Sequence, residues 1–166
     1  LIYPSNVDVE EFDIQGIPCQ RFTPQQAAKG KYLLYLHGGA YINGPFSIYG
    51  PYVSRFSKSC RVNGILVGYR LAPEDPFPAA LEDVNNVYTH LTENGIRPSD
   101  ILIAGDSAGG GLAIAALVSF RYQELPMPNA CLVISPWADL TNSSDTHQTK
   151  AKLDVMLTKV QLDEAA

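Results

Sequence analysis

A chain of 166 residues with 46% hydrophobic and 17% charged residues is too apolar to stay disordered and long enough for one domain with a buried core. Its formal charge of −5, from 12 Lys and Arg against 17 Asp and Glu, is spread without basic clusters. Nucleic acid and anionic lipid are therefore excluded as expected partners, and a small neutral or moderately apolar substrate suits the chain better.

The longest apolar stretch, Leu112 to Phe120, is about half of the ~20 residues a bilayer-spanning helix needs, and the N-terminus lacks a basic-then-apolar leader pattern. The expectation is a soluble chain with no membrane span. Cys19, Cys60 and Cys131 are odd in number and have no C-x-x-C spacing, which argues against a disulfide framework or a zinc site. They read as small apolar residues and point to a reducing, cytoplasmic compartment. The chain opens at Leu1 and closes on "QLDEAA" within a helical pattern, so both ends are expected to be cut.

From Val7 to Ile14, "VDVEEFDI" alternates imperfectly, and "IPCQRFTP" follows a turn at Gly16, which predicts an antiparallel hairpin at a sheet edge. In "KYLLYLHGG" the run Tyr32 to Leu36 is continuously apolar, as a strand buried on both faces should be. Ser47 to Ser59 reads as a helix. "GILVGYRL" repeats the buried-strand signature. From Ala80, the apolar residues Leu81, Val84, Val87, Tyr88 and Leu91 follow an amphipathic helical period, with Pro78 as a start signal. "DILIAG" is a further strand, Ala108 to Tyr122 a further helix, Pro126 to Asn129 a loop, and "ACLVISPW" the fourth central strand. Strands alternating with helices define an α/β fold: a mostly parallel sheet covered on both faces, in one domain over residues 1–166.

Two motifs carry chemistry. Gly105-Asp106-Ser107-Ala108-Gly109 fits G-x-S-x-G between a strand and a small-residue helix, the context of a nucleophile elbow. Its glycines let the backbone turn sharply with the serine hydroxyl pointing out, and the helix start puts positive partial charge where an oxyanion would develop. His37-Gly38-Gly39-Ala40 comes directly off the preceding buried strand, where an oxyanion-hole loop would lie. Backbone donors near Gly39, Ala40 and Ala108 could then stabilise a tetrahedral intermediate, with each donor worth ~3 kcal/mol. The plainer alternatives are a structural serine in a glycine-rich turn and a turn that merely closes a strand.

"YLHGGAY", "YRLAPEDPFPAALEDV", "GDSAGGGLA" and "SPWADLT", in this order, resemble the hormone-sensitive-lipase-like family of α/β-hydrolases from about Val7 to Leu162. The resemblance implies the α/β-hydrolase fold, Ser107 as nucleophile, and Gly39, Ala40 and Ala108 as oxyanion donors. It makes His37, Gly38, Gly105, Asp106 and Gly109 scaffold of the site, with neither His37 nor Asp106 in the triad. Within "YRLAPE", a segment the family uses to brace the site, Arg70 and Glu74 are expected as ion-pair members, serving either the site or only the fold.

The family's chain order is Ser, Asp, His. After Ser107 this chain offers Asp139, Asp145, Asp154 and Asp163 as acids and only His147 as a base. His147 matches a loop of the family and not its catalytic-histidine motif, Asp139 reads as a capping or scaffold residue, and His90 as a helix-surface histidine. The triad acid and base are therefore expected outside this chain, in a C-terminal segment on the order of a hundred residues for a domain of ~250. The N-terminal cap helices of the family are likewise expected outside it. On this reading the chain is a partial catalytic domain truncated at its C-terminus, with "ACLVISPW" left as a new sheet edge and apolar faces uncovered, and it is expected to be marginally soluble and nearly inactive by itself. The resemblance implies a carboxylic ester hydrolase for short to medium acyl esters, working through an acyl-enzyme on Ser107 without metal or organic cofactor. The alternative is a non-catalytic small-molecule-binding protein on the same fold, as in plant hormone receptors that resemble the family. A lactonase, amidase or deacetylase would share the same triad.

Overall fold

The computed structural model describes residues 2–166. Strands β1 (Val7–Ile14) and β2 (Ile17–Pro24) form the expected antiparallel hairpin. Gln15 and Gly16 turn through positive φ, and Asp13 accepts a hydrogen bond from the Gly16 N–H at 2.7 Å. β3 (Tyr32–Leu36), β4 (Asn63–Val67), β5 (Ile101–Asp106) and β6 (Ala130–Ile134) follow, each preceded by a helix or turn that returns the chain to the same end of the sheet. The strand order is β1-β2-β4-β3-β5-β6. β2 pairs antiparallel with β4, while β4, β3, β5 and β6 are mutually parallel.

Alternation along the strands divides the core in two. Leu34, Leu36, Ile65, Val67, Ile101 and Ile103 face helices α2 (Ala79–Glu93) and α3 (Ser107–Tyr122). Leu33, Tyr35, Leu66 and Ala104 face α1 (Phe46–Cys60) through Val53 and its neighbours Tyr49 and Phe56. Helices thus cover both faces of a mixed sheet, which is the α/β architecture expected from the strand and helix periods and is consistent with the α/β-hydrolase fold that the resemblance implies. Two short helices, α4 (Thr146–Thr149) and α5 (Lys159–Ala165), follow β6. Among the described residues no helix is long and apolar enough to cross a membrane.

β6 is the edge strand expected of a sheet that stops after "ACLVISPW": its composition is that of a strand buried on both faces, and Leu132 and Ile134 remain 40% and 38% exposed. The strand hydrogen-bonds to β5 alone, so one edge has no neighbour, and one face lies open where no described helix packs.

The register of the two central strands sets the position of the site. β3 and β5 run parallel with Leu36 opposite Gly105, so the residues that leave their C-terminal ends, His37 and Asp106, emerge side by side. In open parallel sheets that end is where ligands are bound.

α2 is held against α3 by the stack of Tyr88 on Phe120, with ring centroids 4.1 Å apart, and by the Tyr88 hydroxyl donating to the Pro126 carbonyl at 2.6 Å. Phe120 is fully buried, so Phe120→Ala is expected to cost about 3–5 kcal/mol of stability. Urea denaturation followed by circular dichroism checks this, and a loss below about 1 kcal/mol would contradict the packing described.

Candidate active site

Ser107 stands between the end of β5 and the first turn of α3 with φ 52°, a left-handed conformation that serine rarely takes. Close approach explains its glycine neighbours. A Cβ on Gly105 would lie 2.3 Å from the Gly109 carbonyl oxygen, and one on Gly109 would lie 2.2 Å from the Leu36 oxygen. Without side chains at these positions, the helix start backs directly onto the ends of both central strands. The Ser107 carbonyl accepts a hydrogen bond from the Trp137 N–H at 2.8 Å, which ties the turn to the loop after β6. The N–H of Ala108, second in the helix, has no acceptor among the described residues, as befits a first-turn donor.

The loop after β3 closes on itself. The Gly39 carbonyl accepts from the N–H groups of Ile42 (3.0 Å) and Asn43 (2.9 Å), and Gly39, Ala40 and Tyr41 have φ of 120°, 54° and 63°. Ala40 therefore adopts a left-handed conformation that a third glycine would take without strain. The Gly38 N–H donates to Asp106 at 3.1 Å, whereas those of Gly39 and Ala40 find no acceptor among the described residues. The loop thus presents two consecutive free donors beside a third at the start of α3.

His37 is walled in. It is 1% exposed, its ring stacks on Tyr69 at 4.2 Å, its Nδ1 lies 2.8 Å from the Gly38 oxygen, and its carbonyl accepts from the Tyr69 hydroxyl at 2.6 Å. A Cβ on Gly44 would sit 1.9 Å from the ring, so the returning loop packs over it without a gap. Burial lowers the imidazole pKa below its ordinary value and keeps the ring neutral. His37 is structural support for the loop.

Asp106 precedes the serine and turns its carboxylate toward the loop. It accepts hydrogen bonds from the hydroxyls of Tyr35 (2.9 Å) and Tyr49 (3.1 Å) and from the Gly38 N–H. Burial, reinforced by this carboxylate, raises both phenol pKa values, that of Tyr49 to about 12, so both tyrosines are donors.

The expected pair of Arg70 with Glu74 does not form. Arg70 instead grips Asp83 through its backbone N–H (2.8 Å), Nε (3.0 Å) and Nη2 (2.8 Å), with Glu82 at 3.2 Å and Asp75 at 3.9 Å. The first turn of α2 brings Glu82 and Asp83 back to Arg70, while Glu74 stays on the exposed turn between them. The pair braces β4 to α2.

The remaining acids and histidines stay apart from the serine. Asp139 is occupied by the N–H and hydroxyl groups of Thr141 and Ser143, which hold its carboxyl well below the usual range, as suits a capping residue. His90 lies in the last turn of α2 and His147 on α4. Among the described residues, neither a histidine nor a carboxylate hydrogen-bonds to the Ser107 hydroxyl. Sequence reasoning missed Tyr35, Tyr49, Tyr69 and Gly44. The tyrosines look like core aromatics within apolar runs, and only their hydroxyls distinguish them.

The sequence model of the alpha/beta hydrolase fold family matches residues 33–166. The chain is 40% identical over 137 residues to an acetyl-hydrolase of Streptomyces hygroscopicus, covering 82% of this chain and 46% of that one. It is 31% identical over 158 residues to an esterase of Acinetobacter venetianus, covering 94% and 52%. Among solved structures, an esterase/lipase from an uncultured bacterium superposes with a TM-score of 0.93 at 39% identity, over 99% of this chain and 55% of that one. An esterase from the bacterial hormone-sensitive lipase family does so with a TM-score of 0.96 at 34% identity, over 99% and 56%. The chain belongs to the alpha/beta hydrolase fold family, on its hormone-sensitive-lipase-like branch. It spans about half the length of the relatives it matches.

The neutral state of His37 makes stability depend on pH. Because its pKa is lowered on folding, the unfolded chain binds the extra proton, and the stability contributed by the neutral ring is lost as pH falls below its ordinary value of 6.5. In an NMR titration the midpoint of the His37 ring signals is expected below the ordinary value of 6.5. A midpoint at or above 6.5 would show that the ring is not enclosed as described.

Proposed function

We propose that the chain carries the nucleophile and the oxyanion-binding loop of a serine carboxylic ester hydrolase acting on short to medium acyl esters. The observation that carries this reading is the juxtaposition of Ser107 at φ 52°, on a strand-to-helix elbow, with unengaged N–H groups at Gly39, Ala40 and Ala108. Relatives named acetyl-hydrolase, esterase and, in Pseudomonas putida, ethyl acetate hydrolase support an ester with a small acyl group. Support also comes from solved neighbours soaked with p-nitrophenyl butyrate or bearing PMSF, at 39% and 38% identity.

In this mechanism the Ser107 Oγ attacks the ester carbonyl carbon as a histidine base takes its proton, and an aspartate orients that histidine. The carbonyl oxygen becomes an oxyanion held by the three N–H groups. The tetrahedral intermediate collapses, the C–O bond to the alcohol breaks, and the alcohol leaves with the proton from the histidine. Water then attacks the acyl-serine by the same route, releasing the carboxylic acid and restoring the hydroxyl. In this reading the acid and the base come from sequence other than residues 1–166, because His37 is enclosed and no described histidine reaches the serine. The chemistry needs no metal or organic cofactor.

The test uses the polypeptide encoded by the whole reading frame, assayed with p-nitrophenyl butyrate. Ser107→Ala is expected to lower kcat by at least about 10⁴-fold. PMSF should add its sulfonyl group at Ser107, as read by peptide mass spectrometry. Wild-type turnover retained by Ser107→Ala would overturn the assignment, and absence of any turnover or labelling would favour a binding protein on this fold.

A further inference from the structure

Asp106 occupies the N-cap position of α3, where an aspartate ordinarily turns its carboxylate inward to accept the N–H of the second or third helical residue. Here it caps nothing: its side chain makes no hydrogen bond to the helix start. Both oxygens point the other way. Oδ1 accepts from the Tyr35 hydroxyl and the Gly38 N–H, and Oδ2 from the Tyr49 hydroxyl. The fit is close, since a Cβ on Gly38 would lie 2.5 Å from Oδ2 and 2.8 Å from the Tyr49 hydroxyl.

We infer that Asp106 is a positioning residue that fixes the oxyanion loop against the nucleophile and, by declining to cap α3, leaves the Ala108 N–H free for the substrate. This rests on the ester-hydrolase reading above. The covalent paths involved are short. Asp106 is one residue from Ser107 and two from Ala108, and the Gly38 it holds is one residue from Gly39 and two from Ala40. A single carboxylate therefore sets the separation of all three donors from the attacking oxygen through the shortest covalent routes available. Misplacing such groups by about 1 Å is enough to cost about 10²-fold in rate.

The tyrosines have a separate task. A carboxylate this near the helix start would gain by swinging back to cap it, which would consume the N–H of Ala108 or Gly109. Tyr35, fully buried on β3, and Tyr49, on α1, occupy the oxygens from the opposite side of the sheet and hold the carboxylate away. They also disperse its negative charge, which would otherwise oppose an oxyanion forming beside it.

The experiment compares Asp106→Ala, Asp106→Asn and the double variant Tyr35→Phe with Tyr49→Phe, in the whole reading frame and alongside Ser107→Ala. The readouts are kcat and KM on p-nitrophenyl butyrate, affinity for a trifluoromethyl ketone, whose adduct places an oxyanion in the hole, and amide exchange at Gly38. For Asp106→Ala, kcat is expected to fall about 10²–10³-fold with KM changed less than about threefold. Ketone affinity should fall in parallel, and Gly38 exchange should accelerate.

Asp106→Asn keeps an acceptor for Gly38 and should return kcat to within about fivefold of wild type. The double tyrosine variant should lose about tenfold in kcat and in ketone affinity, and it supplies the test where Asp106→Ala yields no folded protein by circular dichroism. Unchanged kcat in Asp106→Ala, a fall in kcat without a fall in ketone affinity, or Asp106→Asn as impaired as Asp106→Ala would each overturn the inference. Were the wild type inactive, the ester reading would fail, and Gly38 exchange would still decide whether Asp106 holds the loop. Unaltered exchange in Asp106→Ala overturns the inference independently of turnover.

Discussion

A serine held at φ 52° costs on the order of 1–3 kcal/mol relative to ordinary backbone and persists only where its surroundings over-determine it. Three constraints do so here. β5 is paired on both sides, to β3 and to β6, so the chain entering the turn cannot shift. α3 is fixed on leaving it by the burial of Leu112, Ala113, Ala116 and Phe120 against the sheet. The peptide between them is clamped by the Trp137 N–H on the Ser107 carbonyl. With both flanks immobile, the left-handed turn is the only way to join them, and it presents the hydroxyl instead of burying it.

The same pairing decides where everything else must stand. Because Leu36 lies opposite Gly105, the loop after β3 and the elbow after β5 begin at one level, and the N–H groups of Gly39 and Ala40 lie only a few residues beyond the strand end next to the serine's. The supports come from three further places: Tyr69 just beyond β4, Tyr49 on α1, and Tyr35 within β3 itself. They converge from both faces of the sheet on a segment only a few residues long. A site built on strand ends and locked by buried neighbours is held more tightly than one carried by loops alone.

The features legible in the sequence are the local ones. Continuous apolar runs identified β3, β4 and β5, period-3.6 patterns identified α2 and α3, and the glycine spacing around Ser107 identified the elbow, since each signal is a property of its own segment. The features that depend on partners are less legible in any one segment. β6 has the composition of a buried strand, but burial depends on what packs beside it, and no described element covers its outer edge. Glu74 is nearer Arg70 in sequence than Asp83 is, yet the start of α2 folds Asp83 back onto the guanidinium. The hydroxyls of Tyr35, Tyr49 and Tyr69 leave no periodic trace, because a tyrosine in an apolar run packs its ring as any core aromatic does.

The electrostatics of the site are those of backbone dipoles. His37 is neutral by burial, the charge of Arg70 is met by Asp83, Glu82 and Asp75, and Asp106 is surrounded by three hydrogen-bond donors. On the proposed reading, the polarity presented to a carbonyl at Ser107 would come from peptide N–H groups and the start of α3, which are fixed before any ligand arrives and would not need to reorganise as charge develops. Such an arrangement is sensitive to displacement and comparatively insensitive to the titration of surface residues. That sensitivity explains why so many close-packed glycines and buried hydroxyls surround so few reacting atoms.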